Sequence, residues 1–157
     1  MTEKTINIPV KVYGLDELSP ERRRVADLAL RYTENAYAPY SRFSVGAAIE
    51  LDNGEVVCGA NQENVAYPSG TCAERSACFS AGARFPQARF VRIAVAARGT
   101  DGAVTEPPTA PCGACRQSLL EYERLAGHDV EVILTGRETV YVLPSVRSLL
   151  PLAFTEF

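Results

Sequence analysis

Segments with helical and strand-like periodicity alternate along this chain, and the alternation restricts the folds open to it. Ser19-Pro20 predicts a helix start, because serine is a common N-cap and proline fits the first helical position. This helix is expected to stop before Pro39. Strand-length runs over residues 43–51 and 55–60 then flank Asn53-Gly54, whose residues tolerate the positive φ of a tight turn. The first half therefore predicts a helix followed by a β-hairpin.

The second half continues the alternation. We expect helices over 72–83 and 112–124, strands over 91–97, 130–134 and 139–143, and a last short helix capped by Ser145. This order predicts an α/β fold, a three-layer α/β/α sandwich whose mixed sheet begins with an antiparallel hairpin. No repeat or long linker interrupts it, so residues 1–157 are predicted to form a single domain. Residues 1–18 are expected to be an N-terminal arm with no assigned function.

Composition excludes several classes of protein. The 157 residues carry a net charge of -3, which provides no positive field for holding a nucleic acid polymer. The sequence contains neither an apolar run long enough to span a bilayer nor a signal-peptide pattern at its start. We therefore expect a cytoplasmic protein that binds neither nucleic acid polymers nor membranes. The five cysteines are an odd number, which favours metal binding or catalysis over disulfides.

Three of the cysteines lie at predicted helix starts: Cys72, Cys112 and Cys115. Free backbone N–H groups at a helix start stabilise the thiolate, which is the form that binds metal. If Cys72 joins the Cys112-x-x-Cys115 pair on one Zn²⁺, the fourth position stays open to water, as in catalytic zinc sites. Taken alone, the pair is equally compatible with a structural zinc knuckle or a redox dithiol. A structural site needs a fourth ligand, for which three residues are available: Cys58, Cys78 and His128.

Glu74 follows Cys72 by two residues and is the candidate proton carrier. From that position its carboxylate can take a proton from a zinc-activated water and return it to a substrate. The competing interpretation is a capping box, in which Thr71 caps the helix and Glu74 bonds only the backbone. Three thiolates on one Zn²⁺ leave a charge of -1, and we expect Arg75 and the two helix starts to offset it.

Five separate motifs make the chain resemble the small, free-nucleoside type of cytidine deaminase, within the zinc-dependent cytidine and deoxycytidylate deaminases. They are YAPYSRFSVGAA at 37–48, NQEN at 61–64, TCAER at 71–75, PCGACRQ at 111–117 and LLPLAF at 149–154. The resemblance runs from about residue 35 to residue 154. Cys-Ala-Glu followed by Pro-Cys-x-x-Cys is the zinc deaminase signature, with cysteine in place of the commoner first histidine.

The resemblance implies a role for each matching residue. Cys72, Cys112 and Cys115 would hold one Zn²⁺ per subunit, with Glu74 as the catalytic proton shuttle and Arg75 bonded to the thiolates. Asn61 and Glu63 would hydrogen-bond the ribose hydroxyls, and Phe43 would line the pocket. The amide of Ala73 would bind the pyrimidine carbonyl, and Phe154 would reach the base in a neighbouring subunit. The family fold has a five-stranded mixed sheet, and members of this size are homotetramers with shared active sites.

The implied activity is hydrolytic deamination of cytidine and deoxycytidine to uridine and deoxyuridine with release of ammonia, a step of pyrimidine salvage. A deaminase of an aminoglycosyl cytosine antibiotic shares the zinc motifs, and the Asn61-x-Glu63 pair separates the two because it suits a ribose diol. A polynucleotide deaminase fits less well, since the net charge is negative. From a different class, a non-catalytic zinc module and a dithiol redox protein remain alternatives, which substitution of Glu74 and zinc quantification distinguish.

Overall fold

A computed structural model describes residues 1–155 of the chain. Three helices alternate with six strands. The helices are α1 (Pro20–Tyr32), α2 (Ala73–Arg84) and α3 (Gly113–Ala126), and the strands are β1 (Lys11–Gly14), β2 (Ser44–Leu51), β3 (Val56–Ala60), β4 (Phe90–Arg98), β5 (Glu131–Thr135) and β6 (Thr139–Leu143). A short 3-10 helix, Val146–Leu149, follows β6 and is capped by the Ser145 side chain. No helix of the described residues is long and apolar enough to cross a membrane.

The six strands form one mixed sheet in the order β1-β6-β5-β4-β2-β3. β2 runs antiparallel to both β3 and β4, and β4 pairs in parallel with β5. Strands β3, β4 and β5 therefore point the same way, and their carboxyl ends meet at one edge of the sheet. Because α2 follows β3 and α3 follows β4, the first turns of both helices are brought to that edge.

Helices cover both faces of the sheet. On one face Val25, Ala26 and Ala29 of α1 are fully buried in an apolar cluster with residues of the central strands. On the other face α2 and α3 pack through a larger cluster that includes Ala77, Cys78, Leu119 and Leu120, all but closed to solvent. This burial of apolar area on both faces is the main favourable contribution to folding. The predicted three-layer α/β/α arrangement is confirmed.

The sheet has six strands where five were expected, because the N-terminal arm contributes β1 at the edge of the sheet. β1 pairs antiparallel with β6, with Lys11 opposite Val142 and Gly14 opposite Thr139. The strand is only four residues long and follows Pro9, which cannot donate a backbone hydrogen bond, so its sequence pattern is weak. Residues 1–10 carry no regular secondary structure.

Local signals at the element ends agree with the structure. Ser19 caps α1 by accepting from the Arg22 amide, and Pro20 occupies its first position. Gly54 has φ of 85° at the hairpin turn between β2 and β3. At the carboxyl end of α3, Gly127 is left-handed with φ of 73°, a conformation that glycine adopts without steric cost. The predicted limits of α2 and α3 differ from the observed ones by one or two residues.

Candidate active site

The cysteines at the starts of α2 and α3 come together as one sulfur cluster. The Sγ atoms of Cys72, Cys112 and Cys115 all lie within 4.8 Å of one another. The distance is 4.0 Å from Cys72 to Cys112 and 3.5 Å from Cys112 to Cys115. A tetrahedral zinc ion with Zn–S bonds of about 2.3 Å separates its sulfurs by about 3.8 Å, so the cluster fits that geometry.

Each ligand is placed by a helix start. Cys72 and Cys112 are the N-caps of α2 and α3, and neither side chain makes a capping hydrogen bond, so both sulfurs stay available. Cys115 lies within α3 and is fully buried. α2 approaches β3 closely at Gly59, where an added Cβ would lie 2.5 Å from the Ala77 amide nitrogen. The absence of a side chain at Gly59 therefore sets the depth at which α2 sits on the sheet.

The cluster stabilises negative charge on the Cys72 sulfur. A hydrogen bond from Cys115 lowers the pKa of Cys72 to about 5, and Arg75 and Cys112 act in the same direction. The same hydrogen bond, together with burial, raises the pKa of Cys115, so without a metal ion the negative charge belongs to Cys72. The Arg75 Nη2 atom lies 4.0 Å from the Cys72 sulfur, and the thiolate in turn raises the pKa of Arg75. The Arg75 Nε atom is buried and has no hydrogen-bond partner among residues 1–155. Arg75 thus lies beside the ligands, where it was expected to offset their charge.

Among residues 1–155, no fourth protein ligand joins the cluster. Within the part of the chain that the structure describes, no further His, Cys, Asp or Glu atom belongs to the group of three sulfurs. Cys78 is fully buried in the core and Cys58 lies on β3, while His128 bonds the Asp129 carbonyl in the turn after α3. Three sulfurs without a fourth ligand leave a coordination position for water, the arrangement of catalytic rather than structural zinc.

Glu74 is buried next to the sulfurs, with 4% of its surface exposed. Because the N-cap of α2 is Cys72 and not Thr71, Glu74 occupies the second helical position, and the alternative capping-box interpretation is wrong. Burial raises the pKa of Glu74, and the negative charge of Cys72 adds to the shift. A buried carboxyl with a raised pKa, close to a metal cluster, is suited to proton transfer near neutral pH.

A cavity of about 550 Å³ reaches this cluster at Cys72, with Arg75 beside it. Its wall is formed by the loop before β2, the loop that connects β3 to α2, and the first turn of α2. The lining residues are Tyr40, Ser41, Asn61, Gln62, Glu63, Asn64, Tyr67, Gly70, Thr71, Cys72 and Arg75. The rings of Tyr40 and Tyr67 meet edge to face with centroids 6.3 Å apart. The cavity is large enough for one nucleoside-sized ligand.

Asn61 and Glu63 line the cavity and also hold its wall together. The Asn61 side chain donates to the Phe43 carbonyl and accepts from the Val45 amide, at 2.9 and 2.7 Å. Glu63 Oε2 accepts from the Tyr40 and Ser41 amides, and hydrogen bonds led by the Ser41 side chain lower the pKa of Glu63. Both predicted ribose contacts are therefore fixed in orientation, and the Glu63 carboxylate is ionised.

The remaining predicted substrate contacts, Ala73, Phe43 and Phe154, are not among the residues that line the cavity. Ala73 is the first, fully buried residue of α2. Phe43 is half-buried directly before β2 and is not among the lining residues of the single chain. Phe154 is 68% exposed, and its carbonyl accepts a hydrogen bond from Gln117. The structure therefore places Asn61 and Glu63 on the cavity wall and keeps Phe154 on the surface.

Sequence reasoning missed several residues that shape the site. Tyr40, Ser41 and Tyr67 line the cavity from loops, where no periodic pattern marks a residue as functional. Arg116 of α3 donates to the backbone carbonyls of Pro111 and Leu149, and Gln117 donates to that of Phe154. The sequence feature that could have identified Arg116 and Gln117 is their position directly after Cys115.

Comparisons with known proteins agree with this geometry. The profile described as "Cytidine and deoxycytidylate deaminase zinc-binding region" matches residues 19–126, which is more than half of the chain. The cytidine deaminase of Halalkalibacterium halodurans is 40% identical over 135 residues, covering 86% of this chain and 95% of that protein. The cytidine deaminase of Sporosarcina psychrophila is 40% identical over 126 residues, covering 78% of this chain and 83% of that protein.

Solved structures give the same result. The crystal structure of cytidine deaminase from Burkholderia pseudomallei superposes with a TM-score of 0.72 at 40% sequence identity, covering 87% of this chain and all of that one. The structure from Mycobacterium tuberculosis has a TM-score of 0.67 at 33% identity, covering 88% of this chain and 100% of that one. With its profile match, its relatives and its three-sulfur cluster beside a buried glutamate, this chain belongs to the zinc-binding cytidine and deoxycytidylate deaminase family.

Proposed function

We propose that this protein catalyses the zinc-dependent hydrolytic deamination of cytidine and deoxycytidine to the corresponding uridines and ammonia. One observation carries the proposal: a cluster of three sulfurs, with no fourth ligand from the residues that the structure describes, lies beside the buried carboxyl of Glu74. An open ligand position and an adjacent proton carrier are what zinc-dependent nucleobase deamination requires.

Cys72, Cys112 and Cys115 are the residues that hold the ion, one Zn²⁺ per subunit. When bound, zinc acts as a Lewis acid that lowers the pKa of a water molecule to about 7, which supplies a nucleophile at neutral pH. Arg75, beside the Cys72 sulfur, and the amide groups at the two helix starts offset the negative charge of three thiolates. Without that compensation the thiolates would oppose ionisation of the water.

Glu74 moves the protons. Its carboxylate accepts one proton from the attacking water and delivers it to N3 of the pyrimidine. It then accepts the second proton, from the hydroxyl on C4 as the C4 carbonyl forms, and delivers it to the amine, which departs as ammonia. The burial that raises the pKa of Glu74 helps in the second half of this sequence, because a carboxyl that retains its proton is a better general acid. One side chain therefore serves as base and then as acid.

The cavity wall binds the nucleoside. We assign the ribose hydroxyls to Asn61 and Glu63, which the loop before β2 holds in fixed orientation. We assign the pyrimidine carbonyl to the amide of Ala73 at the start of α2, and packing against the ring to Phe43. These contacts hold C4 at the attack position and so remove part of the entropic barrier.

The charge of the cavity supports a nucleoside over a nucleotide substrate. Among its lining residues Arg75 is the one cation, and its guanidinium faces the Cys72 sulfur. Glu63 adds a negative charge at the wall. A 5′-phosphate would find no free guanidinium or ammonium group among these lining residues to bind it.

We further propose a homotetramer with shared active sites, in which Phe154 contacts the base bound in a neighbouring subunit. Phe154 and Leu152 are 68% and 84% exposed in the single chain, a cost that burial in an interface would remove. Light scattering measures the assembly directly. The substitution Phe154→Ala should raise KM in the tetramer while leaving zinc content unchanged, and an unchanged KM would exclude a substrate contact.

The proposal extends to domain organisation and location. All described helices and strands pack on one sheet, which supports a single domain over residues 1–157, although residues 156 and 157 lie outside the described part. Five unpaired cysteines support a reducing compartment, and we propose the cytoplasm and a role in pyrimidine salvage. Subcellular fractionation tests the location.

The decisive experiment is an ultraviolet assay on cytidine with and without a chelator, with zinc quantified in the same sample. We expect one zinc per chain and turnover that the chelator abolishes. The substitution Glu74→Gln should retain zinc and abolish turnover, whereas Glu121→Gln, on the exposed side of α3, should change neither. A structural zinc site would show no turnover in any form, and a dithiol enzyme would purify without stoichiometric zinc.

Substrate comparison separates the remaining alternative within the class. Cytidine and an aminoglycosyl cytosine antibiotic are offered to the same preparation, and we expect turnover of cytidine because Asn61 and Glu63 suit a ribose diol. A preference for the antibiotic would refute the assignment of these two residues. Cytidine monophosphate tests whether the cavity accepts a 5′-phosphate, and we expect it to react poorly.

A further inference from the structure

Arg116 joins the loop before Cys112 to the C-terminal part of the chain. Its Nε atom donates to the Pro111 carbonyl and its Nη1 atom to the Leu149 carbonyl, both at 2.8 Å. Pro111 directly precedes a proposed zinc ligand, and Leu149 ends the 3-10 helix after β6. One guanidinium therefore fixes the ligand loop against a segment more than thirty residues away in sequence.

Cys112 needs such support more than the other two ligands. Cys115 is buried inside α3, whereas Cys112 is exposed at the N-cap and follows the long connection from β4 to α3. Its side chain makes no capping hydrogen bond that would hold the turn. The direction of its sulfur thus depends on the backbone at Pro111, whose carbonyl Arg116 binds.

The chemistry of arginine suits this task. A guanidinium presents its N–H donors in a rigid planar fork, so two carbonyls bound by one guanidinium are held at a fixed separation. Within the described residues no carboxylate lies in ion-pair contact with Arg116, so carbonyl oxygens are the partners that the structure gives it. An ammonium group on a flexible chain cannot reproduce this geometry.

Other side chains of α3 hold the C-terminal segment independently of Arg116. Gln117 donates to the Phe154 carbonyl at 2.9 Å, and the buried Glu123 accepts from the amides of Val146 and Arg147 at 2.6 and 3.1 Å. Loss of Arg116 therefore leaves the segment attached to α3 at two places. The fold should survive the substitution, and its effect should be concentrated at Pro111 and Cys112.

We propose that Arg116 is a positioning residue for the metal centre, which sets the direction of the Cys112 sulfur by bridging the Pro111 and Leu149 carbonyls. The inference rests on the proposed zinc site and is independent of which nucleoside is deaminated. Partners outside the ligand shell that orient metal ligands typically change metal affinity about 10- to 100-fold when they are lost.

The test compares zinc-loaded wild type with Arg116→Met, Arg116→Lys and the control Arg124→Met. Arg124 lies on the same helix, 41% exposed, and pairs only loosely with Glu121 at 3.6 Å. The rate of zinc transfer to a chromogenic chelator is measured, together with the visible spectrum of the cobalt-substituted proteins, which reports ligand geometry at the metal.

We expect both Arg116 variants to release zinc at least about 10-fold faster than wild type and to show altered cobalt spectra, with Arg124→Met unchanged. Release within two-fold of wild type would overturn the proposal, and so would a lysine variant that restores the wild-type rate and spectrum. A merely structural role would lower the melting temperature of the zinc-free protein without changing either metal readout. If Arg116→Met does not fold, Arg116→Lys carries the test. A wild-type protein that binds zinc without deaminating cytidine would refute the proposed function and leave this test intact.

Discussion

The close approach of β3 to α2 predicts that one methyl group at Gly59 disables the metal site. A Cβ at this position would lie 2.5 Å from the Ala77 nitrogen and 2.6 Å from the Ala73 oxygen, both backbone atoms of α2. Ordinary contact starts at 3.4 Å, so in the substitution Gly59→Ala the helix has to withdraw by about 0.9 Å. Cys72 and Glu74 move with it.

This displacement is large on the scale of the chemistry. Metal–ligand distances tolerate about 0.2 Å, and a 1 Å misplacement of catalytic groups can lower rates by about 100-fold. We expect Gly59→Ala to lower kcat/KM by about 10- to 100-fold and to speed zinc release, with a loss of about 1–3 kcal/mol in the free energy of unfolding from overpacking. The assays are ultraviolet kinetics, chelator transfer and urea denaturation.

Gly113 provides the matched control, since it lies between two of the ligands in sequence. An added Cβ there meets no atom within 4 Å, and the residue opens α3. Gly113→Ala should leave kcat/KM within about two-fold and raise the free energy of unfolding by up to about 1 kcal/mol, because alanine restricts the unfolded chain. If Gly113→Ala inactivates the enzyme while Gly59→Ala does not, proximity in sequence and not steric overlap governs the site, and the reasoning is refuted.

Three further predictions concern groups outside the cavity. Burial raises the pKa of both Cys58 and Cys78, that of Cys78 to about 12, and only Cys58 is partly exposed. Iodoacetamide at about pH 8 should therefore modify Cys58 slowly in the native protein and reach Cys78 only after unfolding, as mass spectrometry would show. Hydrogen bonds led by the Glu138 amide lower the pKa of Glu106, so its contribution to stability is present above the ordinary pKa of a glutamate and is lost as pH falls through the lowered value. Between about pH 5 and 3, the melting temperature of Glu106→Gln should therefore fall less steeply with decreasing pH than that of the wild type. An equal slope of melting temperature against pH would contradict the assignment. The buried Glu123 accepts hydrogen bonds from three backbone amides. Glu123→Gln should lose one of these bonds and lower the free energy of unfolding by about 1.5–3 kcal/mol, and Glu123→Ala should lower it further. Equal losses for the two variants in urea denaturation would contradict the three-bond assignment.

Local chemistry explains which elements the sequence predicts well. The ends of α1 and of the β2–β3 hairpin follow from Ser19, Pro20 and Gly54, whose conformational preferences act within a few residues. Spacing indicates Cys112 and Cys115 as a metal-binding pair, and the family resemblance adds Cys72 as the third candidate ligand. The structure brings the three sulfurs together. Glu74 was also identified, but local sequence left its capping-box role open until the observed N-cap at Cys72 decided against it.

Features that depend on distant parts of the chain were not predictable. β1 forms because β6 offers it an edge, while its own four residues after Pro9 give little strand signal. The cavity wall depends on Glu63 binding the amides of Tyr40 and Ser41, more than twenty residues earlier. The substrate roles of Asn61, Glu63 and Phe43 stay predictions.

The added strand β1 has a consequence for how copies of this protein behave at high concentration. It lies outside the residues matched by the family profile and pairs along β6, whose Val140 and Val142 are buried. Removal of residues 1–14 would take β1 from the edge of β6 and expose a row of unpaired backbone amides and carbonyls. An exposed edge strand of this kind can pair with strands of other molecules, so β1 also protects the protein against edge-to-edge aggregation.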